Sequence, residues 1–454
     1  MKQLTLKQIA AAVGAVTDSN AVITSVCTDT RKITPGCIFF ALGGDNFDGH
    51  DYAAKALELG AEAVICERDC SLSEKQLLVK STRQALLDLA GYYRRLFDIP
   101  VVGITGSVGK TTTKEMTHAV LSSRYKTLKN EGNLNNEIGV PLTLFRLDDE
   151  YEAAVIEMGM SAFGEIERMS AAVAPTVAVI NNIGVSHIEK LGSREGILKA
   201  KLEILSGMSA NAPVILNGDD DMLQTADTDT HPTLYFGIDN NMCNTKAFDI
   251  SSKDDETEFT VGFGDSCERV VLPSRGRHSV SDALAAISAG ILLGIPLGSA
   301  AKALHDYEPS GMRQRVKTVG GITVIEDCYN ASPDSLRAAL SVLSELEAKR
   351  KIAVLGDMLE LGDIAVNAHR SVGETAAQSK TDILLTYGEL SFNTACAGKE
   401  SGIPVVEAFT DKIDLITYLT DIAKPGDAVL FKASRAMKLE EVIYAFYDAI
   451  GKDE

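Results

Sequence analysis

The chain has 454 residues, with 44 Lys and Arg against 63 Asp and Glu, for a net charge of −19. An apolar share of 45% and a charged share of 24% rule out wholesale disorder. The acidic balance argues against holding nucleic acid or an anionic membrane by bulk charge, because phosphate contacts need clustered Lys and Arg; a nucleotide needs only a local basic site.

At about 100–200 residues per domain, the length predicts two to four domains. Residues 1–95 hold short strand-like runs, such as 36–42, and a helical run near 51–60, and read as a small α/β unit. Near residue 96 the pattern changes. The apolar run 99–105 leads straight into a glycine-rich turn and a helix-like segment, and further buried-strand runs follow at 153–158, 176–181 and 213–217. Near-continuous apolar strands alternating with helices predict a parallel sheet covered on both faces. Residues 240–273 read as β-hairpin material. The uncharged stretch 283–301 is interrupted by Pro296, which favours a buried helix ending near Gly294 over a membrane span.

A third unit begins near Glu308. Residues 315–327 form two apolar runs around Gly320-Gly321, a hairpin signal. Helices at 334–348, 366–379, 411–422 and 436–449 then alternate with strands at 351–355, 382–387, 404–406 and 427–431, the pattern of a doubly wound domain. The expected fold is thus α/β in three domains: a small α/β N-terminal domain (1–95), a central parallel-sheet domain with a phosphate loop (96–308) and a C-terminal Rossmann-like domain (309–454). The eight cysteines are scattered with no Cys-x-x-Cys pair, and the N-terminus lacks an uninterrupted apolar core. A cytoplasmic protein with reduced thiols and no signal peptide is expected.

The strongest chemical signal is the run from Gly103 to Thr113, GITGSVGKTTT, between a strand and a helix. Glycines let backbone N–H groups face phosphates; Lys110 can reach the β- and γ-phosphates, and the Thr111 hydroxyl can bind Mg²⁺. Gly103 leaves five residues before Gly109-Lys110 and Gly106 leaves two, so the loop is a variant of the four-residue pattern. The binding set expected here is Gly106, Ser107, Val108, Gly109, Lys110, Thr111 and Thr112. Glu157 ends an apolar strand, where a carboxylate is well placed for Mg²⁺ or simply solvated. His187 follows another such strand, a position at which a lone histidine is more often structural. Lys201 falls in a charged helical stretch, and composition alone reads it as a surface lysine. The amide-rich turn 132–139, which includes Asn136, could bind an oxyanion or only close the turn.

Residues 103–113, GNLNNEIGVPLT (132–143), EMGM (157–160) and NNIGVSHIEKLGSREGILKAKLEIL (181–205), in this order and spacing, resemble the Mur ligases of bacterial cell-wall synthesis. The segments 29–61, 326–340, 354–362 and 426–443 are most similar to the branch that adds a D-alanyl-D-alanine dipeptide. The resemblance runs from about residue 25 to 447. It implies an enzyme of peptidoglycan precursor synthesis, serving cell shape and division, with ATP and Mg²⁺ as cofactors. ATP would phosphorylate the terminal carboxylate of UDP-MurNAc-tripeptide, and the amine of D-Ala-D-Ala would attack the acyl phosphate. A monomer that binds no nucleic acid and enters no membrane is expected.

By motif position the resemblance assigns Lys110 to the ATP phosphates, Thr111 and Glu157 to one Mg²⁺, and His187 with an N-carbamylated Lys201 to a second. It puts Asn136 near the transferred phosphoryl group, Asp327 and Asn330 on adenosine, and Arg313 on phosphate. Asp29, Thr30 and Arg31, with Asp48, Gly49 and His50, fall at the uridine-nucleotide site. Four positions depart from the family pattern. By motif position Asp282 falls in the ATP-binding set, and Ser279 and Asp282 stand where the family has two asparagines; Gly44 stands where lysine is common, and Ala433 where glycine is.

Overall fold

A computed structural model describes residues 1–44, 47–253, 256–308 and 311–451. The expected break between residues 308 and 309 and the end at 454 adjoin or lie outside the described residues.

The N-terminal sheet is parallel throughout, with strands β1 (Ser25–Cys27), β2 (Cys37–Phe40), β3 (Ala63–Cys66) and β4 (Gln76–Leu78) in that order. Helix α1 (Thr82–Arg94) follows, opened by Ser81, whose side chain accepts from the Gln84 N–H. The apolar cluster under this helix is continuous with that of the next sheet, running from Leu4 through Leu86 and Tyr93 to Ile156 and Met169. Tyr93 Oη donates to the Leu147 carbonyl at 2.6 Å, and buried Arg94 donates to the carbonyls of Val173, Phe97 and Ile99. The first unit is therefore pinned to the second by polar bonds as well as by apolar burial.

The central sheet has nine strands. They are β5 (Val101–Thr105), β6 (Thr127–Lys129), β7 (Ala153–Glu157), β8 (Val177–Ile180), β9 (Val214–Asn217), β10 (Thr233–Gly237), β11 (Thr245–Lys253), β12 (Glu256–Phe263) and β13 (Ser266–Leu272). The spatial order is β6-β7-β5-β8-β9-β10-β11-β12-β13. Pairing is parallel as far as β11 and antiparallel through β12 and β13, so the stretch read as hairpin material is a three-stranded meander. Strands β5, β7 and β8 are buried at every residue, the signature of a sheet covered on both faces. Their carboxyl ends at Thr105, Glu157 and Ile180 lie side by side, the place where open α/β sheets bind ligands.

Two helices matter for the site. Helix α2 (Lys110–Ser122) follows β5 directly, and α5 (Arg277–Leu292) packs along it, with Gly290 giving close approach to Val120. This helix thus starts six residues earlier than the sequence pattern suggested, taking in Arg277 and Asp282, and stops before Gly294, which takes a left-handed φ of 77°. The helix is buried from Ser279 to Gly290 at all but one position, and no helix among the described residues is long and apolar enough to cross a membrane.

The third sheet has six strands in the order β14-β15-β19-β16-β17-β18. They are β14 (Arg315–Val319), β15 (Ile322–Glu326), β16 (Lys351–Gly356), β17 (Ile383–Tyr387), β18 (Val405–Phe409) and β19 (Ala428–Lys432). The β14–β15 hairpin turns on Gly320 and Gly321, both at positive φ, as the glycine pair required. The other pairings are parallel. The helix at Phe392–Glu400 was not anticipated, because its small residues carry little periodic contrast.

Candidate active site

The phosphate loop is built by three local facts. β5 is rich in β-branched residues and ends in the core; Gly106 and Gly109 take φ of 158° and 81°; and α2 begins at Lys110 with N–H groups that have no carbonyl one turn back. Gly103 belongs to the strand, where a Cβ would come within 2.9 Å of Met158 Cε, so the loop proper is Gly106–Gly109. Asn182, at the end of the neighbouring strand, braces it: Oδ1 accepts from the N–H groups of Ser107 and Val108 at 3.1 and 2.9 Å, and Nδ2 donates to the Val108 carbonyl.

Lys110 folds back along the loop, donating to the carbonyls of Gly106 and Ser107 at 2.7 and 3.1 Å. These are bonds an arriving phosphate can replace. Burial lowers its ammonium below the usual lysine range, with Glu157 pulling the other way. Glu157 is 1% exposed at the end of β7. Its Oε2 accepts from Thr111 Oγ1 at 3.0 Å, its Oε1 accepts from Asn135 Nδ2 at 2.7 Å, and Lys114 Nζ stands 3.7 Å from Oε2. A carboxylate this deep is held by polar partners, as burial requires. Of these partners, Asn135 and Lys114 were missed in the sequence; the amide-rich turn was the available signal for Asn135. Asn136 itself closes the turn, its Oδ1 accepting from the Ile138 and Gly139 N–H groups at 3.2 and 2.8 Å.

Lys201 corrects the compositional expectation of a surface lysine: it is 3% exposed, on helix α4 (Arg194–Leu202). Burial, with the nearby charge of Lys110, pushes its amine well below the usual lysine range, and it has no ion pair or hydrogen-bond acceptor among the described residues. His187 lies in the same electrostatic neighbourhood: burial lowers its imidazole, Glu360 raises it, and the two lysines lower it further. Glu360 Oε2 is 2.6 Å from His187 Nδ1, a contact that becomes an ion pair when the imidazole is protonated. That contact joins the third sheet's unit to the second, and Glu360 was missed in the sequence.

Across the loop, a cavity of about 540 Å³ is walled by Lys110 and Thr111 on one side and by Arg313, Asp327, Tyr329 and Asn330 on the other. Asp327 Oδ2 accepts from Lys432 Nζ at 2.7 Å, and the same ammonium reaches the Asn330 carbonyl at 3.1 Å. The Arg313 guanidinium stacks on Tyr329 with 3.8 Å to the ring centroid. Lys432 and Tyr329 were not singled out in the sequence. Asp282 also lines the cavity, packed beneath Gly109.

The N-terminal candidates stand apart from this cavity. Asp29 caps the turn Thr30–Lys32 and takes a forked bond from Arg31 at 2.9 and 2.7 Å; that bond lowers its carboxyl to about 2. Asp48 accepts from His50 Nδ1 at 2.6 Å, and His50 Nε2 accepts from the Glu67 N–H at 2.8 Å, which fixes the Nδ1–H tautomer when the ring is neutral. Gly49 is required by close approach: a Cβ would lie 2.6 Å from the Leu42 carbonyl oxygen.

Three family models match the chain. The Mur ligase middle domain matches residues 104–290, the glutamate ligase domain of Mur ligases matches 313–435, and the catalytic domain of the Mur ligase family matches 22–94. The chain belongs to the Mur ligase family. UDP-N-acetylmuramoyl-tripeptide–D-alanyl-D-alanine ligase of Bacillus subtilis is 42% identical over 93% of both chains. The Escherichia coli protein of the same name is 37% identical over 96% of both. Among solved structures, MurF of Acinetobacter baumannii superposes with a TM-score of 0.92 at 31% identity over 99% of both chains. MurF of Thermotoga maritima, solved in complex with ADP, gives 0.87 at 29% identity over 95% of this chain and 98% of that one. These relatives share the three-unit Mur ligase architecture.

Gly109→Ala would force a left-handed residue to carry a Cβ 2.4 Å from Asp282 Oδ1. A strained non-glycine backbone costs about 1–3 kcal/mol, and urea unfolding should register a loss of that size together with weaker nucleotide binding. Unchanged stability and affinity would contradict the loop geometry.

Proposed function

We propose that this chain is an ATP-dependent, ADP-forming ligase that joins D-alanyl-D-alanine to UDP-N-acetylmuramoyl-tripeptide. The products are UDP-MurNAc-pentapeptide, ADP and phosphate, in peptidoglycan precursor synthesis. The observation that carries the reading is the convergence of Lys110, Thr111 and Glu157 with Arg313, Asp327 and Asn330 on one cavity, in a chain 42% identical to the B. subtilis ligase of that name.

The chemistry needs two anions, a triphosphate and a carboxylate, brought together while water is excluded. A carboxylate oxygen attacks the γ-phosphorus, ADP leaves, and an acyl phosphate forms. The dipeptide amine then attacks the acyl carbon, the tetrahedral adduct expels phosphate, and the amine proton passes to solvent or phosphate. Neither step needs a protein nucleophile; both need alignment and charge neutralisation. Lys110 exchanges its loop carbonyls for phosphate oxygens, and the N–H groups opening α2 take the rest. Arg313 and the Lys432-held Asp327 supply the opposite wall, which makes the site complete only when the second and third units meet.

The donor set fits Mg²⁺. Among the described residues no three His, Cys, Asp or Glu side chains converge into a self-sufficient metal site. Hard-oxygen donors at Thr111 and Glu157 leave positions for phosphate oxygens and water, as Mg²⁺ prefers. His187 with carbamylated Lys201 would form the second site, and bound Mg²⁺ would neutralise the phosphate charge there. The buried, acceptor-free Lys201 supports the modification, because a neutral amine can attack CO₂. An N–C bond forms as one C=O π pair of CO₂ moves onto oxygen, the nitrogen gives up a proton to solvent, and a neutral amine becomes an anion with two oxygens. We place the uridine nucleotide at the N-terminal unit, beside Asp29–Arg31 and Asp48–His50, and the dipeptide at the C-terminal unit.

Phosphate release should require ATP, UDP-MurNAc-tripeptide and D-Ala-D-Ala together. Equal release without the dipeptide would point to an NTPase that makes no amide bond. A decrease in radius of gyration by small-angle scattering on adding an ATP analogue with the UDP-peptide is also expected; no decrease would count against assembly of the site by domain approach.

A further inference from the structure

Asp282 is a carboxyl group buried against the underside of the phosphate loop. It lies on α5, with Oδ1 accepting from Thr113 Oγ1 at 2.9 Å and from Asn181 Nδ2 at 3.2 Å. Asn181 Nδ2 also donates to Thr113 Oγ1 at 2.6 Å, closing a triangle of three buried side chains from α5, α2 and the end of β8. The carboxyl fills the space beneath Gly109, where a Cβ would lie 2.4 Å from Oδ1 and 3.1 Å from Cγ. Its second oxygen, Oδ2, has no protein partner among the described residues, and the residue borders the cavity.

Both donors in this triangle are neutral, and no cation pairs with the carboxyl among the described residues. The charged and titratable groups on the surrounding elements are otherwise engaged. On α2, Lys110 donates to loop carbonyls and Lys114 pairs with Glu115 and Glu157. On α5, Arg277 pairs with Asp239 and His278 Nε2 meets Gln314 Oε1. On the linker, Arg313 stacks on Tyr329, while the Tyr307 phenol is raised by burial and by the proximity of Asp282. A carboxylate here would be an uncompensated buried charge directly below a loop built to accept anions.

We propose that Asp282 holds the phosphate loop as the neutral acid, a positioning residue whose proton must be in place for nucleotide to bind well, so that affinity falls in mildly alkaline solution. The neutral form keeps negative charge away from the phosphates and turns Oδ2 into a donor. The ionised form repels them and strains the triangle. Burial raises the Asp282 carboxyl to about 8, with the Thr113 bond opposing, so the change falls in an accessible range. The inference rests on the proposed nucleotide site but not on the ligase reaction or on any metal.

The test is equilibrium binding of ADP in EDTA to the full chain and to Asp282→Asn, from pH 7 to 9.5, across which the terminal phosphate of ADP sheds only the remainder of its last proton, a change common to both proteins. If only the neutral acid binds, the wild-type Kd rises about 30-fold across this range, as a single proton requires, and the Asp282→Asn Kd rises less than about threefold. An infrared difference spectrum across the same range should show a protonated-carboxyl C=O band disappearing from the wild type and absent from the variant. Lys110 is the competing titrating group. A rise of the same size in Asp282→Asn would assign the effect to Lys110 and overturn the proposal, as would a flat wild-type profile. Absence of ADP binding at every pH would instead refute the nucleotide site.

Discussion

Lys110→Ala should remain folded and lose at least about 100-fold in turnover. A single donor aimed at charge that develops in the transition state is worth about 2.7–4 kcal/mol, and Lys110 is the loop's own ammonium. Its two bonds are to loop carbonyls and Lys110 itself lines the cavity, so removing the side chain opens no core void. The loss should appear in kcat as well as in nucleotide affinity, because the attraction grows as charge shifts onto the departing ADP. A folded Lys110→Ala protein with near-normal turnover would show that the loop does not carry the phosphates of the reacting nucleotide.

Lys201→Ala should be nearly inactive and partly restored by acetate. If Lys201 stays an ammonium, it is a buried cation facing Lys110, with nothing to offset it; truncation would relieve that repulsion and leave activity intact or raised. If it is a carbamate, truncation removes two anionic oxygens beside His187, and a short carboxylic acid can occupy the space. Depletion of CO₂ should lower wild-type activity and bicarbonate should restore it. Full activity of Lys201→Ala without added acid would sink the carbamate and return Glu157 and His187 to scrutiny as the cation's protein ligands.

The parts of the molecule that were legible are those in which local pattern and final environment agree. The run 99–113 announces a buried strand, a loop and a helix because β-branched residues, glycines and a lysine follow one another without interruption. The β14–β15 hairpin announces itself through Gly320-Gly321. Glu157 is legible only beside the phosphate loop, because an acid closing an apolar strand is otherwise as readily a solvated strand end. Lys201 shows where the pattern ends. Helix α4 carries Arg194, Glu195, Lys199 and Lys201, and nothing in that spacing says which charge faces inward; only the packing of α4 against its neighbours buries the last of them. Asp327 is similar, since its partner Lys432 lies 105 residues away and the two meet only because β15 and β19 are adjacent strands. Asp282 is legible as a departure but not as a consequence, because the charge state of an acid depends on what surrounds it.

The central claim is that the cavity activates the peptide carboxylate by phosphorylation. Isotope transfer tests this most directly. UDP-MurNAc-tripeptide labelled with ¹⁸O in its terminal carboxylate should be converted with ATP and D-Ala-D-Ala, and the released phosphate analysed by mass spectrometry. Activation through an acyl phosphate predicts one ¹⁸O atom in each phosphate from fully labelled substrate, because the oxygen that attacked phosphorus leaves with it. Phosphate free of ¹⁸O, alongside pentapeptide formation, would contradict the account.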